Sequence, residues 1–234
     1  MCGAAAAGGR VMSARLFPHG LAGVIFDCDG VLLDSRESNS IFYNRVLAVF
    51  GLPPMTPEQE KYCFMATAGQ ALRHIVPPAL HQRIDEVVSH HVVYDRDIVP
   101  LLRLQEGFRP FVDDLRARGV RMAVHTNRRL HGIQRVLDIF ALPSYFDPVV
   151  AADTAAPKPS PEGAQRICAA WGCNPADVLF VGDSEHDKTT AEGAGVVFAA
   201  FNADPLGGQI KTESFDELHA ALAEALPGTA GRSA

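Results

Sequence analysis

The chain has 234 residues, 47% of them apolar, with 21 basic against 27 acidic side chains and a net charge of −6. That much apolar material can fill one or two packed domains. The absence of a basic run argues against nucleic acid or an anionic membrane surface as a partner, and no apolar run approaches the length of a membrane helix.

Residues 1–20 read as a flexible lead. The Ala/Gly-rich stretch Met1–Gly9 has no positive segment before it and makes a poor signal peptide. The cysteines (Cys2, Cys28, Cys63, Cys168, Cys173) include no Cys-x-x-Cys pair, which predicts reduced thiols in a cytoplasmic protein.

The first element is the apolar, β-branched run from Gly23 to Phe26, which predicts a buried strand. It ends in Asp27 and Asp29, followed at once by Gly30. Two acids at the end of a buried strand need a cation or a reaction to justify them, and in parallel sheets ligands bind at that end. One carboxylate can attack an electrophile while the other moves protons, with a hard cation bridging to the substrate. Cys28 lies between the two acids, which raises its pKa and argues against thiolate chemistry.

Ser35 is placed to cap a helix over 37–50, and Gly51-Leu52-Pro53-Pro54 ends it. Short helices follow from Pro57 and through Leu72, Ile75 and Val76, and a long helix is predicted over 79–104, nicked near Pro100. No strand pattern occurs here, so 36–106 reads as an all-helical insertion, with histidines 74, 81, 90 and 91 on its surface.

From Arg109 onward, helix and strand patterns alternate. Strands are predicted over 120–125, within 147–152, over 178–181 and over 196–201; helices over 110–118, 130–140, 161–171, 185–194 and 214–225. The alternation predicts an α/β fold with a doubly wound parallel sheet. Residues 21–35 and 107–226 would form that core, and 227–234 a flexible tail.

Further strand ends carry matching chemistry. The second delivers His125-Thr126-Asn127, the third is followed by Lys158 in a proline-stiffened loop, and the fourth ends in Gly182-Asp183 with Asp187 four residues on. Taken singly, Thr126-Asn127 is also a plain turn, Lys158 a solvated lysine and Asp183 a helix cap. His125 reads as a satisfied core histidine.

Together, Asp27-Cys28-Asp29-Gly30-Val31, Thr126-Asn127, Lys158-Pro159-Ser160-Pro161 and Gly182-Asp183-Ser184-Glu185-His186-Asp187 resemble the four motifs of the haloacid-dehalogenase-like (HAD) hydrolases. The helical insertion after the first motif resembles the cap of the phosphoglycolate phosphatase and β-phosphoglucomutase branch. The resemblance implies a Rossmann-like core and a Mg2+-dependent phosphatase acting on a small-molecule phosphate ester through an aspartyl-phosphate. It implies Asp27 as nucleophile and Asp29 as acid and base. Thr126, Asn127 and Lys158 would bind phosphate; Asp27, Asp183 and the Asp29 backbone carbonyl would hold the metal, with Asp187 behind them. Alternatives on the same fold are a phosphomutase and a catalytically idle binding protein. Gln70 and Arg73 are candidates for substrate choice by the cap, and a monomer or homodimer is expected.

Overall fold

The computed structural model describes residues 16–17 and 19–228. Most of the lead expected over 1–20, Cys2 included, and the tail beyond 228 lie outside the described residues. Among the described residues of that lead, Phe17 is buried and its carbonyl accepts from Gly20 N–H at 2.9 Å. The chain divides into two compact units, one up to Leu32 and from Gln105 onward, the other Leu33–Leu104.

The first unit is a six-stranded parallel sheet of β1 (Gly23–Phe26), β2 (Arg121–His125), β3 (Val149–Val150), β4 (Val178–Gly182), β5 (Val197–Phe201) and β6 (Ile210–Thr212). Its order, 3-2-1-4-5-6, is that of a doubly wound Rossmann-like sheet. β1 is central: Gly23 is in register with Arg121 and Val178, and Phe26 with Val124 and Val181. Burial on both faces explains its continuous apolar run. The ring of Phe26 meets Phe108, Phe111 and Phe146 edge-on, while Ile25 packs in a cluster with Phe180, Ile167 and Ala191.

The helices Phe108–Ala117, Leu130–Ile139, Glu162–Trp171, Glu185–Ala194 and Phe215–Leu222 bury stripes of apolar or small residues. Gly195 closes the fourth of these at φ +73°, where a Cβ would be strained. β6 has no counterpart among the predicted strands, because three residues including an exposed lysine leave too short a pattern to read.

The second unit is helical. Its helices Arg36–Val49, Pro57–Met65 and Ala68–Ile75 are followed by short turns in place of the long helix predicted over 79–104. The chain runs through a 3-10 segment (Pro78–Arg83), a single α turn (Ile84–Glu86) and a π segment (Val87–His91), and leaves helical geometry at Val92. The pairs Val87-Val88 and Val92-Val93 are stiff at χ1 and disfavour a regular helix, and Pro100 removes a further donor. Ser35 does stand at the N-cap of the first helix, but its hydroxyl caps nothing and is buried without a partner among the described residues. The ends of the unit meet in an antiparallel bridge between Leu33 and Leu104, with Asp34 N–H donating to Arg103 O at 3.0 Å.

Candidate active site

Asp27 leaves the sheet directly after β1, its N–H still paired to Val181 O at 3.0 Å. Its carboxylate is buried, and Oδ1 accepts from Cys28 N–H at 2.6 Å and lies 2.6 Å from the Lys158 ammonium. Lys158 Nζ also donates to Asp187 Oδ1 at 2.6 Å. Asp187 Oδ2 in turn accepts from Ser184 Oγ at 2.5 Å and Ser184 N–H at 3.1 Å. That last pair is the capping box of helix Glu185–Ala194, so one carboxylate both starts a helix and fixes the lysine.

Two glycines make the convergence possible. A Cβ on Gly182 would lie 2.3 Å from the Asp187 Cβ, and one on Gly30 only 2.1 Å from Asp183 Oδ2. Gly30 also holds φ +85°. Any side chain at either position would displace a site carboxylate.

Burial, and then the neighbouring Asp187, push the pKa of Asp27 up, while Lys158 pulls it down. Burial works against the charge on Lys158, but Asp187 and Asp27 outweigh it and hold the amine above its ordinary value. Burial drives the Cys28 thiol well above its usual range, with Asp29 adding to the effect, so this cysteine stays protonated. His125 differs from the satisfied core histidine expected: it is buried, its Nδ1 has no partner among the described residues, and its pKa falls to about 3 through burial and the charge of Lys158.

Carboxylate oxygens of Asp27, Asp183 and Asp187 lie within 4.8 Å of one another. Hard oxygen donors of this kind suit Mg2+. Three clustered carboxylates, two of them paired to the single Lys158 ammonium, hold more negative charge than that lysine answers, which a divalent cation would balance. The donor set therefore fits the expected metal, although both Asp187 oxygens already serve Lys158 and Ser184.

Thr126 closes the second strand, its N–H donating to Val150 O at 3.0 Å and its Oγ1 accepting from Arg128 N–H at 3.1 Å. Asn127 meets the backbone of the lysine loop. Its Oδ1 accepts from Lys158 N–H at 2.8 Å and its Nδ2 donates to Lys158 O at 3.1 Å, so the amide clamps the lysine loop. The carboxylate of Asp29 forms a bidentate pair with Arg128, from Nε at 2.7 Å and Nη2 at 2.6 Å. Sequence reasoning passed over Arg128. The available signal was a cationic pair, Arg128-Arg129, directly after a strand-end Thr-Asn in an otherwise acidic constellation.

In the helical unit, Gln70 Oε1 accepts from Thr67 N–H at 3.1 Å and Thr67 Oγ1 at 2.9 Å, closing a capping box. Arg73 is exposed on the same helix. A cavity of about 700 Å³ in this unit is lined instead by residues such as Arg36, Asn39, Tyr43, Lys61 and Phe64, with the Arg36 guanidinium over the Phe64 ring at 4.4 Å.

Residues 24–201 match the family described as haloacid dehalogenase-like hydrolase. A phosphoglycolate phosphatase of Cereibacter sphaeroides is 30% identical over 190 residues, 77% of this chain and 85% of that protein. Phosphoglycolate phosphatase 1 of Pseudomonas aeruginosa is 31% identical over 76% of this chain and 68% of its own length. The crystal structure of a HAD-superfamily hydrolase, subfamily IA, from Geobacter sulfurreducens superposes with a TM-score of 0.70 at 36% identity, covering 87% of this chain and 98% of that one. With the parallel sheet and its acidic strand ends, these matches establish that the chain belongs to the haloacid dehalogenase-like hydrolases and is one of their phosphatases.

Proposed function

We propose that the chain hydrolyses a small phosphorylated metabolite, phosphoglycolate-like or a sugar phosphate, through a phosphate ester on Asp27. The observation that carries this reading is Asp27 itself: a buried carboxylate at the end of the central strand, 2.6 Å from the Lys158 ammonium and two residues before Asp29.

An Asp27 oxygen attacks phosphorus, the O–P bond forms, and the ester P–O bond breaks in line. Asp29 gives its proton to the departing alkoxide, then takes one from the water that attacks the phospho-aspartate. Phosphate leaves and Asp27 is restored. Lys158 and the Thr126 hydroxyl hold the non-bridging oxygens, with Lys158 countering their charge. Asp187 fixes Lys158 and Asn127 fixes its loop, which keeps the ammonium aligned at no cost in reorganisation. Mg2+, held by Asp27, Asp183 and the Asp29 carbonyl, would supply charge neutralisation on the transferring phosphoryl group.

Substrate choice belongs to the helical insertion. Gln70 and Arg73 are its candidate residues, and Arg36 and Lys61 line a cavity within the same helical unit. The same reading takes the protein as a cytoplasmic monomer or homodimer.

The test is a panel of phosphate esters incubated with Mg2+, reading free phosphate and sugar-phosphate isomers. Release of phosphate is expected. An isomerised sugar phosphate without release would assign a phosphomutase, and no turnover at all an idle binding protein.

A further inference from the structure

We propose that Cys168 and Cys173 form a dithiol site for oxidative modification: hydrogen peroxide converts the pair to a disulfide that fastens the end of helix Glu162–Trp171. The site is separate from the reaction proposed above, and neither depends on the other.

Backbone geometry brings the two residues together. The helix closes at Gly172, which holds φ +59°. Gly172 N–H donates to Ala169 O at 3.1 Å and Cys173 N–H to Cys168 O at 3.3 Å. Nested bonds of this pattern around a left-handed glycine set the side chain three residues before the cap against the one two residues beyond it. Here those side chains are both thiols. Cys173 Sγ–H donates to Cys168 O at 3.8 Å, and a hydrogen bond joins the two sulfurs. A disulfide needs Cα atoms within about 6.8 Å, and a direct backbone bond between the two residues keeps them inside that reach.

The turn is also held in place. Trp171 Nε1 donates to Asp147 O at 2.9 Å, Trp171 O accepts from Arg121 Nη1, and Asn174 Oδ1 accepts from Ala176 N–H at 3.1 Å. The sulfurs therefore stay face to face, and a bond between them closes without rebuilding the fold.

Exposure gives the two thiols different parts. Cys173 is half-buried, whereas Cys168 is 3% exposed and packs in the cluster with Ile167 and Phe180. Burial, and then the neighbouring Cys173, push the Cys168 thiol up to about 11. Cys173 meets the oxidant first. Its sulfur attacks the O–O bond, keeps one oxygen as a sulfenic acid, and the other oxygen leaves as water. Cys168 sulfur then attacks Cys173 sulfur; the S–S bond forms, the S–O bond breaks, and the hydroxyl departs as water with the Cys168 proton. Two thiols and one peroxide give one disulfide and two waters. In a reducing compartment the pair rests as thiols.

The test treats the folded, reduced full chain with a small excess of hydrogen peroxide. Remaining thiols are blocked with iodoacetamide in denaturant, and tryptic peptides are mapped by mass spectrometry. Cleavage after Arg166 and after Lys188 leaves both cysteines on one peptide. That peptide is expected to be unalkylated and lighter by two hydrogens, and to take up two alkyl groups when dithiothreitol precedes the block. Cys28 and Cys63, both buried, should remain thiols. The oxidised protein should melt higher than the reduced one, because the bond restricts the unfolded chain. Dithiothreitol should cancel that difference, and Cys173→Ser should never show it. The proposal is overturned if the peptide keeps two alkylatable thiols, if Cys173 runs on to sulfinic acid beside a free Cys168, or if Cys173 pairs with a cysteine on another peptide. A disulfide that forms but leaves the melt unchanged or lower would overturn the fastening of the helix end.

Discussion

Lys158 and Asp187 form an ion pair shut away from water, with Nζ 2.6 Å from Oδ1 and side chains 3% and 0% exposed. Removing one member of such a pair leaves an uncompensated buried charge. Lys158→Met is expected to lower stability by about 3–5 kcal/mol, since Asp27 and Asp187 then face each other across an apolar gap. Adding Asp187→Asn should recover part of that loss. Urea unfolding of both variants checks the coupling, and simple additivity would show that the lysine does not hold the two acids together.

Asp27→Asn should cut turnover at least a hundredfold, a barrier increase of about 2.7 kcal/mol, because the amide keeps the shape and loses the attacking anion. Stability should hold or rise, since the charge removed is one whose burial is unfavourable. Steady-state rates and a thermal melt on the same preparation read both arms. A variant that retains more than a hundredth of the rate sinks the covalent route.

Asp29→Asn removes the proton carrier but leaves the nucleophile. With an aryl phosphate, whose leaving group needs little protonation, the first step should proceed and the second stall. Mass spectrometry of the quenched variant is expected to show one added phosphoryl group. Rapid formation without accumulation would move the base to another residue.

Divalent cation should stabilise the fold as well as activate it. At a hundred times its dissociation constant, Mg2+ is expected to add about 2.7 kcal/mol to unfolding, through binding to the native state alone. Asp183→Asn should abolish most of that gain while leaving the cation-free stability close to that of wild type. A variant whose melting point still rises fully with Mg2+ would exclude Asp183 as a ligand.

His125 is expected to make the stability of the fold acid-sensitive. Its imidazole titrates near 6.5 when unfolded and near 3 when folded, so the unfolded chain binds the extra proton between those values. Stability from this group is complete above about pH 6.5 and declines as pH falls toward 3, by up to about 1.4 kcal/mol per unit. His125→Leu removes the titrating ring. Unfolding free energies from pH 4.5 to 7.5 should therefore converge for the two proteins toward acid, and parallel curves would show that the ring is protonated in the native state.

The sheet and most of the site were legible in the sequence for one physical reason. Polar residues at the ends of apolar strands are conspicuous, so Asp27, Thr126, Lys158 and Asp183 stand out against Val, Ile and Phe. Asp187 was readable from its spacing to Asp183, and Gly195 from the helix it closes. Arg128 was not, because its partner Asp29 is 99 residues away and nothing local ties an arginine in one loop to an acid in the turn after β1. Asn127 was visible as a polar tip, but only the fold shows its amide answering the Lys158 backbone. The turns after Pro78 were misjudged because apolar spacing at helical period persists there while paired β-branched residues break the helix that would use it.

The bridge between Leu33 and Leu104 has a consequence for descent. To the α/β unit, the whole Leu33–Leu104 excursion enters and leaves at one doorway, tied by Asp34 and Arg103. The entropy of closing a loop grows only with the logarithm of its length, so extending a four-residue turn to this size costs about 2.6 kcal/mol. An excursion anchored in this way behaves as an exchangeable cassette. Changes of length or sequence within it leave the register of β1 with β2 and β4 untouched, so the sheet that ends in Asp27 tolerates rebuilding of the segment.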